Sequence, residues 1–299
     1  MKNIENGLQK LNIEYLANEP MKSHTSFKTG GIAKLFTMPK NDGEIKAILS
    51  LCKKENVSYF VLGNGSNILV PDDGISDRVV IYLGENLSYI EDLGDGKLLV
   101  GAGTKLIQVC RFALKNSLSG LEFAYGIPGS VGGAAYMNAG AYGGEMKDVL
   151  IKANHIDSDG NEGSFEGENL NLSYRHSVYS GGNKIITSVI LQLQKGVEEE
   201  IEARMKDFMG RRRDKQPLEY PSAGSVFKRP EGYFAGALIE QSGLKGKRIG
   251  GAMVSEKHAG FIINYDNATT TDVLDLIEFC RETVKEKFGV TLEAEIRTV

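Results

Sequence analysis

The sequence has few of the side chains from which metal sites and disulfide frameworks are built. Its 299 residues include no tryptophan, four histidines and three cysteines, Cys52, Cys110 and Cys280. The cysteines lie far apart and form no CxxC pair, so neither a zinc site nor a disulfide framework is expected. The same pattern is typical of a reducing compartment. We therefore expect no bound metal and a cytoplasmic location.

Long apolar runs and a strong charge of one sign are also missing. No stretch approaches the roughly 18 apolar residues of a membrane-spanning helix, and residues 1–15 lack the apolar core of a signal peptide. Lysine and arginine number 35 against 39 aspartates and glutamates, which gives a net charge of -4. The chain as a whole therefore has no electrostatic attraction for nucleic acid or an anionic membrane, and we expect neither as a partner.

What the chain does contain is ample apolar material and many glycines. Hydrophobic residues make up 41% of the sequence and charged residues 25%, which is ordinary for a folded protein, and the length is typical of about two domains. Of the 36 glycines, eight lie within residues 120–144. Such a concentration indicates backbone that another group must approach closely.

Apolar periodicity predicts a mixture of helices and strands. Ile45, Ile48, Leu49 and Cys52 recur at helical spacing, so residues 42–55 are predicted to form an amphipathic helix, and a second helix is predicted around residues 106–114. The predicted strands are 58–63, 68–70, 78–83, several short ones between 86 and 102, 149–157 and 183–194. The segment between the last two is expected to be a loop with a short helical turn.

The composition changes near residue 196, where a new domain is predicted to begin. A helix is expected to end in the basic run 211–215, and Pro217 and Pro221 then interrupt regular structure. Thr270 or Thr271 can cap a long helix, which Gly289 follows. The remaining predicted elements are a helix over 233–242, a strand over 260–265, the long helix over 271–288 and a final strand over 291–299. We predict one region of residues 1–196, with α+β lobes of about 1–83 and 84–196, and an α+β domain of residues 197–299.

A first glycine-rich loop, GNGSN at residues 63–67, directly follows a predicted buried strand. Successive small residues there can point several backbone N–H groups at one anion. The loop is not a dinucleotide fingerprint, because that motif needs a third glycine and a following helix, whereas Ile68 begins a strand-like run. A tight turn between two strands without a ligand is the alternative.

A second glycine-rich loop lies within GIPGSVGGAAYMNAGAYGG at residues 126–144. Pro128 and Ser130 can open a helix, and free N–H groups at its start, together with the glycines, would form a cradle for a pyrophosphate. The alternative is a close contact between helix and sheet with no ligand. Together the two loops favour a large dinucleotide-like cofactor that is held without Rossmann geometry.

Seven motifs in one order carry a specific resemblance: HTSFKTGG (24–31), LGNGSNILV (62–70), GIPGSVGGAAYMNAGAYGGE (126–145), YRHS (174–177), AGSVFKRP (223–230), LKGKRIGG (244–251) and LEAEIR (292–297). From about residue 20 to its end the chain resembles the UDP-N-acetylenolpyruvoylglucosamine reductases, and its length is similar to that of their shorter class. The resemblance implies an α+β fold in which a two-lobed FAD-binding region of the vanillyl-alcohol-oxidase type, residues 1–196, precedes a UDP-sugar-binding domain, residues 197–299.

The resemblance also implies an activity. NADPH would reduce non-covalently bound FAD, which would then reduce UDP-N-acetylglucosamine enolpyruvate to UDP-N-acetylmuramate, a peptidoglycan precursor needed for cell wall biogenesis, cell shape and cell division. The partners would be the UDP-sugar and NADPH, and no protein partner is evident. Two alternatives remain open at this point: an FAD-dependent sugar or alcohol oxidase or dehydrogenase on the same fold, and a nucleotide-binding module without activity.

The implied reaction sets requirements for the site. When hydride reaches an alkene conjugated with a carboxylate, more negative charge develops on that already anionic carboxylate. A cation and hydrogen-bond donors must therefore face the carboxylate. A proton must also reach the alkene carbon next to the one that takes the hydride. By resemblance, Arg175 is the cation, Ser225 the proton donor and Glu295 the second group at the carboxylate, where we expect a raised pKa. Without the resemblance, all three would be ordinary surface or turn residues.

The resemblance further implies binding residues. For FAD these are Gly63, Asn64, Gly65, Ser66, Asn67, Ile127, Pro128, Gly129, Ser130, Gly133, Asn138, Gly140, Arg212 and Arg297. For the substrate they are Lys215, Arg229 and Lys245, although Arg229 departs from the asparagine found at this motif position in the longer class. Without a ligand, Arg212 and Lys215 would simply belong to a solvated basic run that complements the helix dipole.

Overall fold

The computed structural model describes all 299 residues and mixes helices with strands along the chain. The α-helices are α1 (Lys2–Lys10), α2 (Asp42–Lys54), α3 (Leu106–Lys115), α4 (Val131–Met137), α5 (Glu198–Lys215), α6 (Ala235–Gln241) and α7 (Thr270–Phe288). The strands are β1 (Tyr15–Pro20), β2 (Ile32–Thr37), β3 (Ser58–Leu62), β4 (Ile68–Leu69), β5 (Arg78–Tyr82), β6 (Ile90–Gly94), β7 (Lys97–Gly101), β8 (Leu118–Ser119), β9 (Gly140–Ala141), β10 (Gly144–Glu145), β11 (Leu150–Asp157), β12 (Glu162–Glu166), β13 (Lys184–Gln192), β14 (Gln194–Lys195), β15 (Arg248–Ile249), β16 (Ala252–Val254), β17 (Ile262–Asn264) and β18 (Arg297–Thr298). The predicted α+β class is confirmed.

The sheets differ in strand direction. One has the order β1-β2-β5-β3, with parallel β2–β5 and β3–β5 pairs, and another has the order β12-β11-β13-β7-β6 and is antiparallel throughout. A third, β15-β16-β17, is also antiparallel. The short strand β18 pairs in parallel with β4. The end of the chain is therefore hydrogen-bonded to the segment that follows the first glycine-rich loop.

Packing divides the chain into two compact units. The first comprises residues 1–17, 35–64 and 77–211, and the second comprises residues 18–34, 65–76 and 212–299. This differs from the expected boundary at residues 196 and 197, because Phe27 and Leu69 from the two short segments are buried in one core with Val226 and Ile296. The predicted roles of residues 1–196 and 197–299 in binding FAD and the UDP-sugar stay predictions.

The core of the first unit includes the predicted apolar faces of α2 and α3. Ile45, Ile48, Leu49 and Cys52 of α2 are all buried, and the helix begins at an Asn41 cap whose side chain accepts a hydrogen bond from the amide of the third helical residue. On α3, apolar residues at the same spacing are buried as well. These two predicted helices are confirmed.

In the second unit, the long helix α7 has an unusually well-satisfied N-terminus. Thr269 is its cap and accepts from the Asp272 amide, so the expectation that Thr270 or Thr271 caps the helix is wrong. Thr270 and Thr271 are instead the first two helical residues, and their amides donate to the Asp72 carboxylate, at 2.7 and 2.9 Å. Asp72 thus attaches the segment after β4 to the start of α7.

Several further elements differ from expectation. Residues 162–166, expected to be loop, form the edge strand β12. The predicted final strand is reduced to β18 and one isolated bridge between Phe227 and Ala294. Helix α1 was not predicted, although buried Ile4 and Leu8 lie at helical spacing. None of the helices combines the length and apolarity needed to cross a membrane.

Replacement of Asp72 tests the attachment of α7. Burial would raise the pKa of Asp72, but the hydrogen bonds from Thr270 and Thr271 outweigh burial and lower it. We expect Asp72→Ala to reduce the free energy of unfolding at pH 7 by about 1 kcal/mol, the usual value of a helix cap. Because the folded-state pKa is lowered, this contribution is present above the ordinary carboxyl pKa and is lost as pH falls through the lowered value.

Urea denaturation of the wild type and the variant at several pH values measures this difference, and Asp73→Ala is the matched control at the neighbouring exposed position. A difference between wild type and Asp72→Ala that stays constant down to strongly acidic pH would contradict the role of the ionised carboxylate.

Candidate functional site

The structure brings the start of the first glycine-rich loop, Gly63 and Asn64, next to the second loop in the first unit. The Asn64 side-chain amide donates a hydrogen bond of 2.6 Å to the Pro128 carbonyl. A Cβ at Gly63 would lie 2.5 Å from the Ser130 hydroxyl oxygen, which is too close for any side chain unless Ser130 moves. The loops that were expected to share one ligand are therefore adjacent.

The first amides of α4 are already used within the protein. Ser130 caps the helix, and its hydroxyl accepts from the Gly133 amide at 3.4 Å. The amides of Val131 and Gly132 donate to carbonyls of residues just before α3, at 2.8 and 2.9 Å. The expectation of free N–H groups at the start of this helix is wrong. These bonds dock the helix on the chain that precedes α3, and any cradle must come from the loop residues.

Arg175 lies at the tip of a tight turn in the first unit. The backbones of Ser173 and His176 exchange two hydrogen bonds, of 3.1 and 3.0 Å, with Tyr174 and Arg175 between them. Arg175 has a φ of 55°, in the left-handed region, which a non-glycine residue adopts at a cost that its surroundings must offset. Arg175 is therefore carried on a short, strained turn.

Asn138 is buried in the protein rather than exposed for a ligand. It ends α4 in the left-handed conformation and is 1% exposed. Its side-chain nitrogen donates to Glu145 and to the Ser173 carbonyl, at 2.8 and 3.0 Å, and its oxygen accepts from the Lys147 amide at 2.8 Å. Each hydrogen-bonding atom of this amide has a partner in the protein.

Among the other loop residues expected to bind the cofactor, Gly129 donates to the Ile127 carbonyl within a turn and Gly140 lies in β9.

The second half of the first glycine-rich loop, residues 65–67, lies in the second unit. Gly65 has a φ of 59°, and a Cβ there would lie 1.9 Å from the His24 carbonyl oxygen, so only glycine fits. The Gly65 carbonyl accepts from the Ser26 amide at 3.0 Å. Ser66 is half-buried beside it. The loop is thus attached to the HTSFKTGG segment that the sequence analysis singled out.

Asn67 connects this loop to the end of the chain. Its side-chain amide donates to the Glu295 carbonyl at 3.2 Å, and its own carbonyl accepts from the Arg297 amide at 3.1 Å. Asn67 is therefore bonded directly to Glu295 and Arg297, two other residues assigned by resemblance that lie far from it in sequence.

Ser225 and Glu295 lie on neighbouring backbone segments of the second unit. The Glu295 amide donates to the Val226 carbonyl at 2.7 Å, and the Val226 amide donates to the Gly260 carbonyl at 2.9 Å. Val226 is buried, whereas Ser225 and Glu295 are both half-buried. The Ser225 hydroxyl donates to the Phe227 carbonyl at 3.3 Å. The two predicted catalytic residues of this unit are thus brought together by backbone pairing.

His258 packs beside Gly260, near Ser225, and is not among the residues expected at the site. A Cβ on Gly260 would contact both the His258 ring, at 3.0 Å, and the Ser225 hydroxyl oxygen, at 3.5 Å. The Gly260 amide donates to His258 Nδ1 at 3.1 Å, and burial lowers the pKa of His258, which keeps the ring neutral at pH 7. The sequence carries no signal for this placement, because the segments of Ser225 and His258 meet only on folding.

The basic residues expected to bind ligands are spread over several elements of the second unit. Arg212, half-buried, and Lys215, exposed, lie in the last turn of α5. The Arg229 guanidinium lies 4.1 Å from the centre of the Phe234 ring. The Lys245 ammonium lies 2.6 Å from a Glu240 carboxylate oxygen. No group of histidine, cysteine and acidic side chains suited to a metal is present.

Comparisons with known proteins agree with the resemblance. The family model "FAD binding domain" matches residues 33–162, and the model "UDP-N-acetylenolpyruvoylglucosamine reductase, C-terminal domain" matches residues 216–299. The reductase of that name from Syntrophomonas wolfei is 52% identical over 94% of both chains, and that of Clostridium novyi is 50% identical over 100% of this chain and 95% of its own.

Solved structures show the same relationship. The crystal structure of UDP-N-acetylenolpyruvylglucosamine reductase from Thermus caldophilus has a TM-score of 0.80 and 39% identity and covers 96% of this chain and 98% of its own. Physcomitrella patens BBE-like 1 has a TM-score of 0.51 and 13% identity and covers 64% of this chain and 44% of its own. At that identity the second match shows a shared fold alone.

The need for glycine at residue 65 can be tested by substitution. Gly65→Ala introduces backbone strain of about 1–3 kcal/mol at positive φ and a contact with the His24 backbone that cannot be relieved by a side-chain rotation. Gly94 also has positive φ, of 83°, but open space around its Cβ position, so Gly94→Ala isolates the strain. We expect Gly65→Ala to destabilise the protein by about 1–3 kcal/mol more than Gly94→Ala, measured by urea denaturation. Equal losses would contradict the close approach of His24.

Proposed function

Because the chain belongs to the UDP-N-acetylenolpyruvoylglucosamine reductase family, we propose that its two glycine-rich loops hold FAD and that Arg175, Ser225 and Glu295 act on the enolpyruvyl group. The chain is an FAD-dependent reductase that uses NADPH to convert UDP-N-acetylglucosamine enolpyruvate to UDP-N-acetylmuramate in peptidoglycan synthesis. The main observation in support of the residue assignment is that the Glu295 backbone is hydrogen-bonded both to the Val226 carbonyl and to the Asn67 side chain.

Bound FAD would supply the hydride chemistry between NADPH and the terminal alkene carbon of the substrate. The loop residues fit such a group. Gly63 and Gly65 leave no room for a Cβ beside Ser130 and His24, so the loop packs closely on other segments of the protein. Its small residues can point backbone N–H groups at an anion such as the FAD pyrophosphate. In the first unit Asn64, Pro128 and Ser130 would hold FAD, and in the second unit Gly65, Ser66, Asn67, Arg212 and Arg297 would do so.

Arg175 and Glu295 would stabilise the substrate carboxylate as negative charge develops on it. The planar guanidinium of Arg175 has the fork geometry that suits a carboxylate. Glu295 can assist only in its protonated form, as a hydrogen-bond donor, because two ionised carboxyl groups would repel each other at contact distance. The Asn67 and Val226 hydrogen bonds fix the Glu295 backbone, so little reorganisation is needed when charge develops.

Ser225 would donate the proton that completes the lactyl ether. Hydride arrival at the terminal carbon leaves a strongly basic enolate, which a serine hydroxyl can protonate at the adjacent carbon. The Ser225 hydroxyl hydrogen is directed at the Phe227 carbonyl, a hydrogen bond of 3.3 Å that is long enough to be exchanged easily. The structure thus supports Ser225 as an available donor.

Lys215, Arg229 and Lys245 would contact the UDP-sugar, whose diphosphate requires positive charge. Lys245 is paired with Glu240, and Arg229 stacks on Phe234, so bound substrate would either displace these contacts or form beside them.

We further infer a cytoplasmic location, because the three cysteines are free and buried, as suits a reducing compartment. The family's UDP-sugar and NADPH are the proposed partners.

The alternative of a sugar or alcohol oxidase on the same fold is not favoured. The match to the reductase C-terminal domain at residues 216–299 includes the AGSVFKRP and LKGKRIGG motifs, for which an oxidase would have no use. A nucleotide-binding module without activity is not favoured either, because the full-length relatives are enzymes by name.

Anaerobic flavin spectroscopy tests the proposed function. We expect the purified protein to carry flavin that NADPH bleaches and that UDP-N-acetylglucosamine enolpyruvate restores to its oxidised colour. Bleaching without restoration would remove the substrate assignment, and a protein that never takes up FAD would overturn the assignment of the loops.

The assignment of Ser225 predicts a selective defect. Ser225→Ala should leave flavin reduction by NADPH near the wild-type rate and slow reoxidation by the enolpyruvyl substrate by about 10²–10⁴-fold, the usual contribution of a general acid. The nearby half-buried Ser222 provides the control variant Ser222→Ala, which should retain both rates. Stopped-flow absorbance measures the two half-reactions separately. Near-normal reoxidation in Ser225→Ala would show that the proton comes from elsewhere.

A further inference from the structure

The end of α4 holds the turn that carries Arg175 at two points. Before the turn tip, the Asn138 side chain donates to the Ser173 carbonyl at 3.0 Å. After it, the Ser177 hydroxyl donates to the Tyr136 carbonyl at 2.7 Å. Asn138 and Ser177 are 1% and 0% exposed, so the side chain that donates each bond is shielded from water. The four-residue turn is therefore attached to the helix end on both sides of Arg175.

The orientation of the Asn138 amide is determined by its other partners. Its oxygen accepts from the Lys147 amide at 2.8 Å, so the nitrogen must face the opposite side. One of the two nitrogen-bound hydrogens is directed to the Glu145 carboxylate at 2.8 Å, and Glu145 is itself paired with the Lys147 ammonium at 3.1 Å. The second hydrogen is therefore directed at the Ser173 carbonyl, and a flipped amide would break all three bonds.

The turn needs such support because its backbone is strained. Arg175 has a φ of 55°, and a left-handed arginine persists only where surrounding contacts outweigh its cost. If the attachment at Ser173 were lost, the turn could relax and the guanidinium would move. A fork-shaped contact between guanidinium and carboxylate is sensitive to shifts of about 1 Å.

We propose that Asn138 is a positioning residue that fixes Arg175 through the Ser173 carbonyl, and that Ser177 supports the same turn from its other side. The inference rests on the proposed role of Arg175 at the substrate carboxylate. It gives the Asn138 side chain a role within the protein in place of the expected role in binding FAD, because the atoms of its amide are already bonded there. Asn138 thus links the second glycine-rich loop to the YRHS motif.

The test compares Asn138→Gly, Ser177→Ala and the control Asn171→Gly in the FAD-loaded enzyme. Glycine retains the left-handed backbone of Asn138, with a φ of 43°, and removes only the side-chain bonds. Asn171 also adopts the left-handed conformation, with a φ of 48°, but is exposed. We measure FAD content, thermal unfolding, flavin reduction by NADPH and reoxidation by the enolpyruvyl substrate.

We expect Asn138→Gly to retain FAD and to slow reoxidation about 10- to 100-fold, with a much smaller effect on reduction by NADPH. Ser177→Ala should show the same selective defect to a smaller extent, and it tests the idea should Asn138→Gly fail to fold. Asn171→Gly should resemble the wild type. A purely structural role would instead lower FAD content, thermal stability and both rates together.

A double-mutant cycle with Arg175→Ala identifies the route of the effect. If Asn138 acts through Arg175, then Asn138→Gly should change reoxidation less than about twofold in the Arg175→Ala background. An undiminished effect there, or normal reoxidation in both Asn138→Gly and Ser177→Ala, would overturn the inference while leaving the role of Arg175 intact. Normal reoxidation in Arg175→Ala alone would overturn the role of Arg175, and with it the inference.

Discussion

The second unit depends on the backbone hydrogen bonds that hold the segment around Glu295. Its amide is bonded to Val226, and its carbonyl accepts from the Asn67 side chain. Two residues later, Arg297 begins the short strand β18, which pairs with β4. This single segment joins the AGSVFKRP motif to the first glycine-rich loop, so a shift of its backbone would disturb the proposed proton donor and the proposed cofactor loop together.

A second theme is the use of polar side chains to attach loops to the ends of helices. Asp72 accepts from the first amides of α7, and Asn138 at the end of α4 holds the turn of Arg175. Asn264, also buried, donates to the Phe27 carbonyl and accepts from the Ala268 amide. Buried polar groups must be paired, so Asn138 and Asn264 specify one arrangement of loops that have little regular structure of their own. Asp72 is exposed and acts through its hydrogen bonds at the start of α7.

The elements that could be predicted are those with a local signal. Helix α2 was predicted because its four apolar residues recur at helical spacing and are all buried, and α7 because of its threonine-rich start and the glycine after its end. Strand β12 was missed because four of its five residues are exposed and it therefore lacks an apolar pattern. The final strand was overestimated because alternation of apolar and charged residues at 292–297 does not reveal that only Arg297 and Thr298 join a strand, while Ala294 forms an isolated bridge.

The sequence by itself determined the class of this protein: ordered motifs identified the family, and residue types identified Arg175, Ser225 and Glu295 as candidates for the chemistry. Only the tertiary structure decided which backbone segments meet, such as those of Ser225 and Glu295, and what the loop residues around them are bonded to. The Asn138 side chain, expected at the cofactor, is hydrogen-bonded to Glu145 and Lys147 instead. The backbone amides at the start of α4 are likewise bonded within the protein. Motifs record which residue types are present, whereas hydrogen-bond partners depend on chain segments that meet only on folding.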